Sequence, residues 1–368
     1  MESWDRVVSA LLLETPDRVP VFEMHMSSPI AEKVLGRSCL CYNLRKILHY
    51  LSSGKDVDKL NEIIADELIR IHLKAGLDYI RVPGAYTETN VKVIGKDLYL
   101  IGGYKYRLTN ETLWLLDEPK TYNEKDFEFG KTEVNYDVFK ILELVSKRVK
   151  GKIFLSFDAD GSWGPIVSRP NLMLHVLRWM RTKPSLVRKI IDHYTDIAIS
   201  YGRAALDFGA DAIMMCVDYG YSRGPWMSPK DFRTFINPAL RRQVLAFKGK
   251  GGFAILHSDG NINAILDDIV DAGIDAYQGI DIIAGMDLKS VKERFGDRIC
   301  LIGNFNPKII DYGSKKEVYD EVLRCLRDGA PGGGYIFSTS ANLSSSFNGE
   351  NFIFMLKVLK EKYYYPIC

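Results

Sequence analysis

The chain contains few cysteines and no long apolar run, and these two absences exclude several classes of protein. Its 368 residues include six cysteines, and no two of them have the Cys-x-x-Cys spacing of metal or redox motifs. A disulfide framework is therefore not expected, and this cysteine usage is typical of a reducing compartment. No stretch reaches the roughly 18 uninterrupted apolar residues that a transmembrane helix needs, so we expect no membrane span.

The chain also lacks an excess of one charge. Its 49 Lys and Arg residues and 47 Asp and Glu residues leave a formal net charge of +2. It therefore has neither the basic surface of a nucleic-acid-binding protein nor an acidic tail. The first residues include Glu2 and Asp5 and lack the basic and apolar regions of a secretory signal. We expect a soluble, cytoplasmic protein that binds neither nucleic acid nor membrane.

Short apolar runs alternate along the chain with longer segments of helical periodicity. Continuous apolar runs are typical of strands that are buried on both faces of a parallel sheet. Eight runs are predicted as strands, at residues 19–24, 78–82, 153–157, 211–217, 252–257, 275–279, 299–303 and 334–338. Helices are predicted at residues 172–180, 184–207, 228–248, 262–272, 288–294 and 315–327.

One turn sequence occurs three times, as KAGLDYIRV (74–82), DFGADAIMM (207–215) and DAGIDAYQG (271–279). In each copy a predicted helix ends at Gly, which accepts the left-handed conformation, and a strand follows through Asp. Repeated units of this kind favour an α/β fold with a single (β/α)8 TIM barrel over residues 1–368. The alternative is an open doubly wound sheet, but no GxGxxG phosphate loop follows the first strand.

Two segments are longer than a barrel crossover requires. Residues 26–75 are predicted to form an N-terminal helical elaboration. Residues 84–150 or so form an insertion in which Gly95, Gly102 and Gly103 separate β-like stretches, as in a β-hairpin. Both segments leave the carboxyl-terminal face of the barrel, where we expect them to cap its mouth.

Polar residues follow most of the predicted strands, at the barrel face where active sites lie. Charged groups are costly to bury, so their concentration indicates a functional mouth. In chain order the candidates are Glu23, His25, Tyr86, Glu88, Asp158, Asp160, Cys216, Asp218, His257, Asp259, Gln278, Asp281, Asn304, Asn306, Ser338, Ser340 and Asn342. The strongest candidate pair is His257 and Asp259, which are two residues apart and project to the same side of an extended chain. Imidazole and carboxylate groups either ligate a divalent metal such as zinc or act as an acid–base pair.

Several segments in the same order resemble the uroporphyrinogen decarboxylase superfamily, and in particular its corrinoid- and coenzyme M-dependent methyltransferases. They are RVVSALLLETPDRVPVFE (6–23), RGPWMSPKDFRTFINPALRR (223–242), ILHSDGNINAILDDIVDAGIDAYQGI (255–280), AGMDLKSVKERFGDRICLIGN (284–304) and GGYIFSTSAN with NGENF (333–352). The resemblance implies a (β/α)8 barrel whose active site lies at the carboxyl ends of the strands.

Departures from the family pattern distinguish its branches. The decarboxylases carry arginines just after the first strand, where this chain has EMHMSS (23–28). The thiol-methylating branch has a zinc site of a His-x-Cys pair and a later Cys. Here the His is His257, the next ligand position is Asp259, and the later position falls near Ala341. A ligand set of His and carboxylates is harder than one with thiolates and suits an oxygen substrate. The chain thus resembles the first methyltransferases of O-demethylase systems, which move a methyl group from an aryl methyl ether to the cobalt of a separate corrinoid protein.

This resemblance implies a small-molecule methyl donor, a corrinoid protein as partner, and a group that stabilises the leaving oxygen. That group is either a metal, with zinc as a candidate, or a proton donor such as Tyr219 or Tyr221. We accordingly predict catalytic roles for His257, Asp218, Tyr219 and Asp158, substrate binding by Asp160, Trp163, Tyr221, Asn304 and Ser338, and metal ligation by His257, Asp259 and Glu23.

Several alternatives stay open. Asp259 could instead cap a helix, and Asp158 and Asp160 could be turn residues. The protein could be a lyase that decarboxylates a small acid, in which case Arg81, Arg169 or Arg223 in the mouth would clamp a carboxylate, or a non-catalytic barrel. Family members often form dimers, although composition alone identifies no interface here.

Overall fold

A parallel sheet lies at the centre of the structure, a computed structural model that describes residues 1–109, 112–341 and 348–367. The strands of the described residues are β1 (Tyr79–Val82), β2 (Val91–Gly95), β3 (Leu98–Ile101), β4 (Tyr104–Thr109), β5 (Thr112–Leu115), β6 (Phe154–Asp158), β7 (Ala212–Cys216), β8 (Gly220–Tyr221), β9 (Gly224–Pro225), β10 (Phe253–Ser258), β11 (Ala276–Gly279), β12 (Cys300–Ile302) and β13 (Tyr335–Ile336). Seven of them form the parallel sheet in the order β1-β6-β7-β10-β11-β12-β13. These are seven of the eight predicted strands, each matched to within two residues.

The eighth predicted strand, at residues 19–24, joins the two edges of this sheet through isolated bridges. Val21 pairs in parallel with Phe337, just beyond β13, and Phe22 pairs in parallel with Tyr79 of β1. The Phe22 N–H donates to the Phe337 carbonyl at 2.9 Å, and the Asp78 N–H donates to the Val21 carbonyl at 2.8 Å. The sheet therefore curls back on itself as a TIM-like barrel does.

The three repeated turns all make the same contact, which explains their shared aspartate. The carboxylate oxygens of Asp78, Asp211 and Asp275 accept hydrogen bonds from the N–H groups of Val21, Leu155 and Ala254 at 2.9, 2.9 and 2.8 Å. Each aspartate therefore ties the start of its own strand to the strand before it. Since Val21 makes this contact as the strand residues Leu155 and Ala254 do, residues 19–22 occupy a strand position of the barrel.

Helices pack around the sheet and account for the segments of helical periodicity. They are α1 (Ser3–Leu11), α2 (Ser28–Leu35), α3 (Leu44–Ser52), α4 (Val57–Ala75), α5 (Lys140–Val149), α6 (Gly164–Val167), α7 (Pro170–Thr182), α8 (Pro184–Asp207), α9 (Pro229–Asp231), α10 (Asn237–Lys248), α11 (Leu266–Asp271), α12 (Leu288–Phe295), α13 (Pro307–Tyr312), α14 (Lys315–Gly329) and α15 (Gly349–Lys362). The predicted helix 184–207 is α8 in full, whereas the predicted helix 228–248 is divided by a π-helical turn at Phe232–Ile236. No helix of the described residues is long and apolar enough to cross a membrane.

Two apolar clusters fill the inside and the outside of the barrel wall, because successive strand residues point to opposite faces. The inner cluster takes side chains from every strand of the sheet and from Phe22, whose ring stacks on Tyr79 with centroids 4.1 Å apart. Val7, Ala10 and Leu11 of α1 belong to the same cluster. The helix α1 therefore closes one end of the barrel, and the site must lie at the other end.

The insertion forms a four-stranded antiparallel sheet in the order β2-β3-β4-β5, rather than the single hairpin that the glycine pattern predicts. Strands β2 to β4 follow one another through tight turns, and Val91, Tyr99 and Leu108 of this sheet are buried. Arg45 of α3 forms an ion pair with Asp97 between β2 and β3. The insertion is thus held against the helical elaboration of residues 26–75.

Candidate active site

His257 lies at the carboxyl end of β10, and its ring orientation is set by the neighbouring strand. His257 and Gln278 are register partners of β10 and β11. Nδ1 of His257 is hydrogen-bonded to Oε1 of Gln278, while Nε2 of Gln278 donates to the Thr339 carbonyl at 3.2 Å. A carbonyl only accepts, so the Gln278 amide group must turn its NH2 toward Thr339 and its oxygen toward the imidazole. Nδ1 of His257 therefore carries a hydrogen, and in the neutral ring Nε2 keeps its lone pair.

Two carboxylates face that lone pair. Nε2 of His257 is 3.7 Å from Oδ1 of Asp218 and 3.8 Å from Oδ1 of Asp259. One ligand atom from each of the three residues lies within 4.8 Å of the others. The His257 side chain is buried, whereas that of Asp218 is 48% exposed. The cluster is therefore anchored in the protein on the imidazole side and open to solvent on the Asp218 side.

Asp259 lies in an environment that disfavours its charge. Burial raises its pKa to about 6, with repulsion from Asp218 and Asp281 adding to the rise and His257 opposing it. Its Oδ1 is buried and has no hydrogen-bond partner among the described residues, although its N–H donates to Oδ1 of Asp218 at 3.0 Å. Buried polar atoms are nearly always paired, so this oxygen has capacity for a cation or a proton. The alternative role of Asp259 as a helix cap finds no support, because no backbone N–H among the described residues donates to that oxygen.

A cavity of about 590 Å³, here called the His257 cavity, opens over the cluster. Asp218, His257 and Asp259 line one side of it, and Tyr106 and Trp114 of the insertion line another. The predicted capping role of the insertion is consistent with this placement. The volume lies in the range of small-molecule sites, roughly 300 to 1,000 Å³.

Arg81 and Asp158 form a charged pair at the rim of the same mouth. Nε of Arg81 donates to both carboxylate oxygens of Asp158, at 2.8 and 3.0 Å, and Nη2 donates to Oδ2. Asp158 raises the pKa of Arg81 above its ordinary value even though burial opposes the rise. Nη2 of Arg81 also lies 3.6 Å from Sγ of Cys216, whose thiol pKa burial raises to about 12. Asp158 is therefore an ion-pair partner of Arg81, and Cys216 is a protonated thiol rather than a ligand.

Four other predicted residues support the loops beneath the mouth. Asp160 accepts hydrogen bonds from the backbone N–H groups of Ser162, Trp163 and Gly164, as the turn interpretation predicts. Tyr219 is buried with its hydroxyl 2.7 Å from Oγ of Ser162, and Trp163 is also fully buried. Tyr221 is 42% exposed and stacks on Trp226. Of these residues, none lines the His257 cavity.

The remaining predicted residues lie outside the cluster. Asn304 is buried and donates to the Ile280 carbonyl, and Ser338 is buried and donates to the Thr339 carbonyl. Glu23 is fully buried and accepts a hydrogen bond from Oγ1 of Thr339 at 2.7 Å. Among the described residues the metal-binding geometry comprises Asp218, His257 and Asp259 and does not include Glu23. Asn342, at the end of the last predicted strand, lies outside the described residues.

Two contributors were not assigned roles from the sequence. Gln278 lies within the predicted strand 275–279, and its role as the partner of His257 emerges only from the pairing of β10 with β11. The sequence offers no sign that Trp114 reaches the mouth, because its position depends on how the insertion packs.

Comparisons with known proteins agree with this architecture. The model of the uroporphyrinogen decarboxylase (URO-D) family matches residues 103–362. A uroporphyrinogen decarboxylase of Psychromonas ingrahamii is 23% identical over 94% of each chain. That of Chlorobium luteolum is 25% identical over 50% of this chain and 52% of its own, so the chain spans about half the length of that relative and of several others. A solved structure, a methyltransferase from Methanosarcina mazei, superposes with a TM-score of 0.72 at 20% identity and covers 98% of this chain and 99% of its own.

Proposed function

Because the chain belongs to the uroporphyrinogen decarboxylase family, we propose that it is an enzyme that moves a methyl group from a small methylated donor to the cobalt of a separate corrinoid protein. An aryl methyl ether is the proposed donor. The observation that carries this proposal is Nε2 of His257, which faces Asp218 and Asp259 at the base of an open cavity. The similarity in fold to a solved methyltransferase supports it.

The donor atoms of the cluster fit a divalent metal. They are one imidazole nitrogen and two carboxylate oxygens, the set that zinc and harder ions accept without thiolates. The hydrogen bond from His257 to Gln278 is of the kind that orients metal-bound histidines. A metal held by Asp218, His257 and Asp259 would act as a Lewis acid toward the oxygen that leaves when the methyl group is removed.

The residues of the chain supply the remaining requirements of the reaction. Gln278 keeps the hydrogen of His257 on Nδ1, so Nε2 stays directed at the cavity. Without a metal, Asp259 is the alternative group, because burial raises its pKa to about 6 and its protonated form could release a proton to a leaving phenolate. The half-exposed Asp218 marks the side from which the methyl acceptor would approach.

Decarboxylation is the second candidate, because Arg81 and Arg169 line the His257 cavity and the curated relatives carry the name uroporphyrinogen decarboxylase. However, Arg81 is already bound by Asp158, so its charge is neutralised. Residues 23–28 also contain no arginine. A clamp for several carboxylates needs more unpaired cations than this mouth provides, so methyl transfer is the function that the site supports better.

An anaerobic assay with Co(I)alamin distinguishes these functions. The purified protein is incubated with a panel of methyl donors, and the visible spectrum of methylcobalamin is followed. Methylcobalamin formation that requires both protein and donor is the expected result. Carbon dioxide release from a carboxylated substrate without methylcobalamin would refute the proposal in favour of decarboxylation.

A further inference from the structure

A second cavity of about 330 Å³ adjoins the His257 cavity. Met24 and Arg81 line both cavities and so form the wall that they share. Tyr42 lies in the other wall of the smaller space, which is here called the Tyr42 cavity. Asp218, His257 and Asp259 do not line the Tyr42 cavity, so its lining residues are distinct from the cluster.

The walls of the Tyr42 cavity are aromatic and aliphatic. The rings of His25 and Tyr42 meet edge to face with centroids 5.1 Å apart. Tyr86 is held in place by a reciprocal pair of hydrogen bonds between its backbone and the Asn61 side chain, both 3.0 Å long. Aliphatic side chains of Leu44, Ile47, Ile64, Leu68 and Val82 also line the cavity. Rigid rings and aliphatic side chains of this kind favour a flat apolar ligand, which gains both burial and ring contacts.

The charges that line this cavity cancel each other. Arg81 and Asp158 are paired through Nε and Nη2 of the guanidinium. Among the residues that the structure describes, Nη1 of Arg81 makes only one long contact, 3.5 Å to the Met24 carbonyl, so this nitrogen can still donate a hydrogen bond. An uncharged oxygen substituent can accept that bond, whereas a carboxylate would also meet the negative charge of Asp158. The cavity therefore discriminates against anionic ligands.

We propose that the Tyr42 cavity binds the ring of an uncharged, single-ring aromatic methyl ether. The inference rests on the proposed methyl transfer and deepens it by assigning the ring of the donor to this cavity and by specifying that the donor is uncharged. A volume of about 330 Å³ accommodates one substituted ring and is too small for a tetrapyrrole. Since Met24 and Arg81 line both cavities, a ring in the Tyr42 cavity would lie next to the His257 cavity.

Calorimetric titration of the purified protein tests this assignment without requiring turnover. The probes are ortho-methoxyphenol, which is uncharged at neutral pH, and ortho-methoxybenzoate, which is anionic and of similar size. We expect ortho-methoxyphenol to bind about tenfold more tightly or better. Leu44→Trp, at the half-exposed first residue of α3, should weaken that binding by about tenfold or more because indole fills the cavity. Ile64→Phe fills the same space from α4 and serves as the second variant if the first fails to fold.

The matched control is Leu245→Trp, which places the same bulk at an exposed position of α10 and should leave the affinity for ortho-methoxyphenol unchanged. Equal affinity for both probes, or unchanged affinity for ortho-methoxyphenol in both Leu44→Trp and Ile64→Phe, overturns the assignment. Binding that follows the expected pattern without any methylcobalamin formation supports the Tyr42 cavity as an aromatic site and refutes methyl transfer. Methyl transfer from aliphatic donors alone, with no binding of ortho-methoxyphenol, supports methyl transfer and refutes the Tyr42 cavity as an aromatic site.

Discussion

Glu23 should make the stability of this protein depend on pH in a way that a single substitution removes. Glu23 is fully buried, and burial raises its pKa from 4.5 to about 8, although the hydrogen bond from Thr339 opposes the rise. Its Oε1 has no partner among the described residues. The folded protein therefore favours the protonated, neutral acid, whereas the unfolded chain loses the proton near pH 4.5.

The sign of the effect follows from this difference. A raised pKa of an acid contributes stability that is fully present below the unfolded pKa and is lost as pH rises through the folded pKa. With values of 4.5 and about 8, linkage predicts that Glu23 removes about 3 kcal/mol of folding free energy between pH 5 and pH 7.5. Glu23→Gln keeps the shape and hydrogen-bonding capacity of a neutral acid but cannot ionise.

Denaturant unfolding of the wild type and Glu23→Gln at several pH values measures this contribution. The unfolding free energy of Glu23→Gln relative to that of the wild type should increase by about 3 kcal/mol between pH 5 and pH 7.5. The same substitution at the exposed Glu361 should produce no such trend. A difference between wild type and Glu23→Gln that stays constant over this pH range would show that Glu23 is ionised in the folded protein and would refute the reasoning.

Three further substitutions, two of them paired with a comparison variant, probe the cluster and the barrel. His257→Ala should abolish methyl transfer and zinc binding while circular dichroism shows an intact fold; full activity would remove His257 from the mechanism. Gln278→Leu should weaken zinc binding by about 10- to 100-fold in a competition titration, whereas Gln278→Glu keeps an acceptor for Nδ1 and should lose less. Asp78→Asn should cost about 3 to 5 kcal/mol in unfolding free energy, because Asp78 is buried between Arg6 and Arg18. Asp211→Asn, at the equivalent turn but with only Lys150 at 3.5 Å, should cost less, and equal losses would contradict the ion-pair explanation.

The barrel could be predicted from the sequence because its signals are local and repeated. The apolar runs are buried on both faces, and the Gly-x-Asp turns mark where helices end and strands begin. The contact between Asp78 and Val21 was not predictable in this way, because it joins segments 57 residues apart. Residues 19–22 read as an ordinary strand in the sequence, yet they close the barrel through two isolated bridges.

The candidate site was predicted less completely, for a physical reason. Strand ends identify which residues reach the mouth, but not which way their side chains turn. His257, Asp218 and Asp259 do meet, whereas Asp160 is bound by loop amides and Tyr219 points into the core. An aspartate after a strand has the same local sequence whether it holds a turn or faces a cavity, so only the tertiary contacts separate the two roles.

The electrostatics of the cluster explain how carboxylates can serve where the related thiol-methylating site has sulfur ligands. Burial raises the pKa of Asp259 to about 6, and repulsion from the Asp218 carboxylate adds to the rise. A divalent cation among the three side chains would offset both costs, because it favours the ionised form of each carboxylate. Below about pH 6, binding of the cation must displace the proton of Asp259, so affinity should fall with acidity.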